Sequence, residues 1–241
     1  MPGSIRLYCD AALHEGAVVA ASPRQAHYLG RVMRRTPGDE IRVFNGRDGE
    51  WQASILRIGT TAEFRATLRL RPQDAEPDLW LLAAPLRRDL TELVVQKATE
   101  LGVSRILPVI TARTNPARGN PARLAAIAIE AAEQSERLSV PDIDAPRPLD
   151  AVLEHWPAGR VLVAAVERRD LRGVPPQAGP AALLVGPEGG FTAAELDGPL
   201  RAAFVVAASL GPRILRAETA AIVGLALLQA RPPPAPLDTE P

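Results

Sequence analysis

The sequence predicts a two-part α/β protein, with a small β-barrel followed by a mostly parallel sheet covered by helices on both faces. Three observations carry that prediction. Short β-branched segments with period-two alternation crowd residues 1–72. A stretch rich in proline and acid, RPQDAEPD (71–78), interrupts them. From Leu79 onward, strand-like and helix-like segments alternate. The parts expected are a barrel over 1–72, an α/β domain over 73–231 and a disordered tail over 232–241.

In the first part IRLYC, AVVAA, DEIRVF, EWQASILRI and EFRATLRLR read as strands, broken by Gly, Asp and Pro turns. One segment departs from that rhythm. SPRQAHYLGRVMRR reads as a short helix, with Ser22 as N-cap and Pro23 at its first position. In the second part LWLLAAPL is a buried strand, and a helix from about Leu90 follows it. Asp89 is its expected N-cap, Glu92 its third residue, and Gly102 lies just past its end. RILPVI is the next strand, Asn120-Pro121 opens a helix to about Leu138, and RVLVAAVE, AALLVG and FVVAASLG are further strands. ETAAIVGLALLQA is the last helix.

Composition narrows the function classes. The formal net charge is zero, and no apolar run approaches the ~20 residues of a membrane span. The start, MPGSIRLYCD, lacks a signal-peptide core, which gives an expected cytoplasmic location. A lone Cys9 and three scattered His offer no metal-ligand spacing. Lys97 is the single lysine, so 27 of the 28 basic residues are arginine, which codon bias would explain. Residues 1–72 carry eleven arginines against seven acids, a basic excess that hints at nucleic acid.

Two glycine turns carry the chemistry. LLVGPEGGFTAAE leaves a strand and enters a helix whose start is fixed by a capping box, Thr192 with Glu195. It matches neither a phosphate-binding P-loop nor the dinucleotide fingerprint. Glu188 would repel a phosphate, so an adenosine or a cationic ligand suits the turn better. The glycines would equally serve a tight βα turn alone. SLGPRILRAET likewise leaves a strand and enters a helix, with Arg213, Arg216 and Glu218 around an apolar Ile-Leu pair. In a parallel sheet the ends of neighbouring strands form the ligand crevice, where two such turns would pinch a flat ring.

These turns resemble those of the ribosomal RNA small subunit methyltransferase E family, within the SPOUT class. So do HYLGRVMR, GDEIRVFNG, QKATELGVSRILPV and EAAEQSERLSVP, in the same order over all but the tail. The resemblance implies an α/β fold in which a PUA-like, RNA-binding barrel precedes a SPOUT-type parallel sheet whose C-terminal segment threads a trefoil knot. It implies S-adenosylmethionine (SAM) as cofactor, 16S rRNA of the small ribosomal subunit as partner, and a homodimer through the knot, with no metal and no membrane. The reaction implied is methylation of a uridine at N3.

Cofactor contacts are expected from Ala165, Gly186, Glu188, Gly190, Leu210, Gly211, Ile214, Leu215 and Thr219. Uracil N3 must lose its proton before it can accept a methyl group, and arginine stabilises the resulting anion while staying charged. Arg216 is therefore the expected catalytic residue, with Glu218 orienting it or relaying the proton; an ordinary ion pair capping the helix is the alternative. Arg6, His27, Arg31, Arg34 and Arg35 form the expected RNA-contacting group. The stripe Glu130, Glu133, Gln134, Arg137 would be either a solvated helix face or, by resemblance, a place near the substrate or dimer seam. Two departures stand out: Ala112 where the family commonly has an acid, and Leu124 where an aromatic is frequent. Competing readings are another SPOUT activity, such as ribose 2′-O methylation, and a non-catalytic RNA-binding or assembly protein.

Overall fold

A computed structural model of the chain describes residues 5–115, 119–167, 171–175 and 179–230. The expected tail, 232–241, lies outside them. Two compact units emerge, one comprising 1–76 with 126–140, the other 77–125 with 141–241. The first thus takes in a segment, 126–140, that follows the second unit's opening strands in sequence.

In the first unit five strands, β1 (Arg6–Tyr8), β2 (Val18–Ala20), β3 (Glu40–Phe44), β4 (Glu50–Ile58) and β5 (Ala62–Arg71), line up as β1-β3-β4-β5-β2. The pair β1–β3 is parallel and the others antiparallel. All five strands send side chains into one core, among them Leu7, Val19, Ile41, Val43, Ile55 and Phe64, as a barrel requires. Alternation explains this: in β4 Ala53 and Ile55 are buried while Ser54 and Leu56 are not. Helix α1 (Pro23–His27) begins as read, Ser22 and Gln25 forming a capping box with Pro23 at the first position. It continues as a π-turn over Tyr28–Val32.

In the second unit the strands are β6 (Leu79–Ala83), β7 (Arg105–Ile110), β8 (Asp142–Ile143), β9 (Arg147–Pro148), β10 (Val161–Ala165), β11 (Ala181–Val185) and β12 (Val205–Ala208). Their order is β12-β10-β11-β6-β7-β8, with β9 also on β7, and every pairing is parallel. β11 is buried at every position, because helices cover both faces. Its Ala182 and Leu184 join a core with Leu149, Val152 and Leu153 of α4 (Leu149–Glu154). On the other face Leu183 packs against Gly224 of α6 (Ala217–Gln229), where an added Cβ would come within 2.8 Å of the Leu183 methyl groups. Each such fully buried leucine contributes about 1.5–3 kcal/mol.

Helix α2 (Arg88–Glu100) begins earlier than expected. Its N-cap is Arg87, with Asp89 inside the first turn rather than capping it. The Thr91 hydroxyl explains the difference: it accepts from the Leu86 N–H and donates to the Leu86 carbonyl, both at 3.0 Å, folding the preceding residues onto the helix. Glu92 instead pairs with Arg88 and Arg123. The helix ends as read: Gly102 has φ +77, and Val103 N–H reaches Ala98 O while Gly102 N–H reaches Thr99 O. Lys97 pairs with Glu100 at 2.8 Å.

Helix α3 (Pro121–Gln134) stops short of Leu138. Glu136 takes φ +61, which ends the helical path. The polar stripe near its end is divided: Glu130 and Gln134 are exposed, while Glu133 is half-buried and Arg137 buried. Glu133 accepts from the Tyr8 N–H at 2.9 Å, Glu130 pairs with Arg24, and Arg137 is buried on Glu76 and Ser139. Burial pushes the Glu133 carboxyl above its usual range despite that hydrogen bond.

Candidate functional site

The site is built by topology first. β10 lies between β11 and β12, so the chain leaves β10 to pair on one side and later returns to pair on the other. Connections diverge there, and the crevice beyond the strand ends is the expected ligand position. A cavity of about 860 Å³ opens at that place, within the size range of small-molecule sites. The end of β10 supplies Ala165, Val166 and Glu167, the first glycine turn supplies residues 186–191, and the second supplies residues 209–216.

Local sequence explains each wall. Pro187 turns the chain out of β11, and Gly190 N–H closes the turn onto Pro187 O at 2.8 Å. Gly190 has φ +66, a left-handed conformation that glycine adopts without strain. The capping box then starts α5 (Ala193–Asp197): the Thr192 hydroxyl accepts from Glu195 N–H, and the Glu195 carboxylate accepts from Thr192 N–H at 2.7 Å. The second carboxylate oxygen of Glu195 accepts from Ala112 N–H at 2.9 Å. Burial works against the Glu195 charge, but these backbone donors outweigh it and hold the carboxyl below its usual range. The Ala112 contact uses backbone alone, so alanine serves at this position. Leu124 is buried, packing where an aromatic was expected. The second turn is pinned by Ser209, whose N–H donates to Arg172 O and whose hydroxyl engages the Gly211 backbone at 3.2 Å.

Of the residues singled out from sequence, Ala165, Gly186, Glu188, Gly190, Leu210, Gly211, Ile214, Leu215 and Arg216 all line this cavity. Glu218 and Thr219 sit in the first turn of α6, outside its lining. Arg216 is the N-cap of α6, and no ion pair joins it to Glu218 among the described residues. One carboxylate oxygen of Glu218 is buried there without a hydrogen-bond partner. Arg113 and Phe191 also line the cavity and were not singled out. Arg113 reaches Gly189 O across 76 positions of sequence, a contact that no local pattern signals.

Glu188 in the first turn, and glycine turns that bring backbone to the wall, suit a flat ligand with a positively charged group, while Arg113, Arg213 and Arg216 in the same lining can meet an anionic one. The adenosine and sulfonium of SAM have that chemistry.

The expected RNA-contacting group needs one correction. Arg6 is 7% exposed; it donates to Glu50 at 2.6 Å and to the carbonyls of Ala132, Glu133 and Arg137 at 2.8–2.9 Å. It is committed to the interior of its unit and offers nothing to a phosphate. His27, Arg31 and Arg34 are exposed, while Arg35 is half-buried.

Known proteins give this geometry its context. An RNA methyltransferase domain model matches residues 74–229, and an RNA methyltransferase PUA domain model matches residues 22–63. The ribosomal RNA small subunit methyltransferase E of Rickettsia conorii is 34% identical, covering 92% of this chain and 93% of its own. The Synechocystis protein of that name is 33% identical over 89% of this chain and 73% of its own. The crystal structure of the Neisseria gonorrhoeae enzyme of that name, bound to SAM, superposes with a TM-score of 0.84 at 28% identity, covering 94% of this chain and 97% of that one. A catalytic-size crevice between two glycine turns, carried by a chain that matches these relatives along nearly its whole length, leads to one conclusion: the chain belongs to the ribosomal RNA small subunit methyltransferase E family.

Proposed function

We propose that this protein transfers a methyl group from SAM to N3 of a specific uridine in the 16S rRNA of the small ribosomal subunit. The observation that carries the reading is the cavity beyond β10, β11 and β12, with an acid and no lysine in its first glycine turn. SAM, when bound, supplies an electrophilic methyl group on a positively charged sulfur. The walls expected to hold it are Ala165, Gly186, Glu188, Gly190, Leu210, Gly211, Ile214 and Leu215.

The chain's own residues then have two tasks. The first is to fix the uracil ring in line with the methyl group, and positioning of this kind is worth about 7–11 kcal/mol. The second is to stabilise the anion left when N3 loses its proton. Arg216 suits that role: it lines the cavity, is exposed and has no carboxylate partner among the described residues. Glu218, with its buried unpartnered oxygen in the first turn of α6, suits a positioning role for Arg216 once the target enters. His27, Arg31, Arg34 and Arg35 of the first unit suit phosphate contact on the same RNA. The reading includes a cytoplasmic homodimer joined through a knotted C-terminal segment; Ile214, 61% exposed, is an apolar side chain that such a state has reason to cover.

The test combines purified protein, SAM and small subunits from cells lacking the modification, with added methyl groups mapped by mass spectrometry. An N3-methyluridine at one site is the expected result. A ribose 2′-O-methyl would replace this activity with another of its class. SAM binding without transfer would leave an RNA-binding or assembly role.

A further inference from the structure

We infer that Arg113 is a substrate-contacting residue, which holds an anionic oxygen of the RNA target nucleotide at the side of the cavity next to the first glycine turn. The inference deepens the proposed function and rests on the reading of the cavity as the SAM site.

The loop carrying Arg113 is fixed independently of its side chain. It follows β7, and Thr111 and Thr114 close it: Thr111 N–H donates to the Thr114 hydroxyl at 2.9 Å and Thr114 N–H to Thr111 O at 3.1 Å. Ala112 N–H ties it to Glu195 at 2.9 Å. From this base the side chain lies across Gly189, where an added Cβ would stand 3.2 Å from Arg113 Cδ, and Nη1 donates to Gly189 O at 2.6 Å. A guanidinium carries five N–H donors. Among the described residues the others meet no protein acceptor, and the side chain is exposed to the cavity.

That arrangement differs from the arginines of this unit that end on a carboxylate. Arg105 ends on Asp144, Arg160 on Asp78 and Arg123 on Glu92. Arg113 has a carboxylate beside it in Glu195, but both oxygens of that group are already held by Ala112 and Thr192. The two attract through space without forming an ion pair, so the remaining guanidinium donors stay open to the cavity, with the direction of the side chain set by Gly189 O. Arg216 belongs to the turn after β12 and Arg113 packs on the turn after β11, with β10 between them. An anion placed between the two turns would meet a cation from each.

The anionic oxygen has two sources on the same nucleotide: its phosphate, or O2 and O4 of the deprotonated uracil. The full-length protein distinguishes them through Arg113→Ala and Arg113→Lys, assayed on small subunits, with SAM affinity measured by calorimetry and thermal midpoint in parallel. The loop keeps its Ala112 and Thr114 ties in both variants. The expected result is kcat/KM lower by about 10²-fold in Arg113→Ala, with SAM affinity and midpoint unchanged. A phosphate contact raises KM, flattens its salt dependence and is largely rescued by Lys, whose ammonium suffices for a point charge. A base contact lowers kcat, moves the pH–rate profile to more alkaline values and is not rescued by Lys. A parallel loss of SAM affinity would place the fork on the cofactor's carboxylate and overturn the assignment, as would unchanged kcat and KM. Absence of SAM binding by the unaltered chain overturns the site reading and this inference together, which separates the two failures.

Discussion

In the first unit Arg6, Arg42 and Arg71 converge on one carboxylate, Glu50, which has no solvent exposure, at 2.6, 3.8 and 2.9 Å. In the second unit Arg113, Arg213 and Arg216 line the cavity, and none of them forms an ion pair among the described residues. One residue type, supplied in excess by the sequence, thus does opposite work in two places. At Glu50 one buried carboxylate offsets part of the positive charge and ties strands β1, β3 and β5 to itself, while Arg6 and Arg71 also reach carbonyls of 132–137. At the cavity Glu167 and Glu188 share the lining, but no ion pair ties up the three arginines among the described residues, which leaves donors that an RNA anion can satisfy. Partner geometry, rather than arginine content, separates a scaffold from a site.

The largest expected effect strikes the ion-paired cluster. Glu50→Ala strands buried guanidinium charge, and breaking such a network costs about 3–5 kcal/mol. Chemical denaturation of the full chain measures it; a loss well under 1 kcal/mol would mean that these arginines are solvated and the contrast is false. Arg216→Ala is the converse. It is expected to lower kcat by about 10²–10³-fold, or about 2.7–4 kcal/mol, with the thermal midpoint unchanged. A variant that lost stability instead would make Arg216 another scaffold arginine. Next comes a bulky cation added to the first glycine turn. Gly190→Arg forces a side chain into φ +66 and crowds a cavity read as holding a cationic cofactor, so SAM affinity is expected to fall at least ~100-fold, about 2.8 kcal/mol. Unchanged calorimetric affinity would remove Gly190 from the cofactor wall.

What could be read from sequence follows the range of the interactions. β4 and β7 fall on their predicted segments because alternation and β-branching are local. Both capping boxes, at Ser22 and Thr192, were legible for the same reason. Both glycine turns are local strand–turn–helix patterns, so they too could be found. The start of α2 differs from the expected one because a side-chain contact reaching five residues back, Thr91 on Leu86, sets it rather than an Asp89 cap. β8 and β9 have two residues each, too few to show a period. Arg6 was assigned to RNA because its partners are 44 positions away at Glu50 and 126–131 away in the segment after Ala131. Arg113 escapes a reading of sequence for the mirror-image reason: among the described residues its one protein acceptor, Gly189 O, lies 76 positions away.

Acid sharpens the comparison through Glu50. Burial opposes its charge, but hydrogen bonds from Arg6 and Arg71 outweigh burial and hold its carboxyl below the usual 4.5. A folded-state pKa below the unfolded one means that stability is present above about pH 4.5 and is lost as pH falls through the lower folded value. Wild-type protein should therefore lose stability below pH 4.5 more steeply than Glu50→Gln, which starts lower and has no charge there to protonate. Equal slopes would show that the arginines do not depress the carboxyl at all. The cavity arginines carry no such partner, so Arg216→Ala should leave the acid slope where it was.

The smallest effect concerns exposed arginines that neither cluster uses. Arg31 and Arg34 lie at the π-turn after α1, both exposed, with Arg34 at φ +51 where the chain leaves the turn. If they meet phosphates, each neutralised phosphate releases counterions, and the slope of log affinity against log salt flattens by about 0.7–0.9 per contact removed. The double variant Arg31→Ala/Arg34→Ala should therefore bind small subunits more weakly at low salt and converge on wild type as salt rises, with SAM affinity and folding unchanged. A parallel salt slope would mean that the basic excess of the first unit is only a solvated surface. Phosphate contact would then fall to the cavity arginines and to residues beyond this turn, and the contrast between arginine with and without an ion pair would hold within the second unit alone.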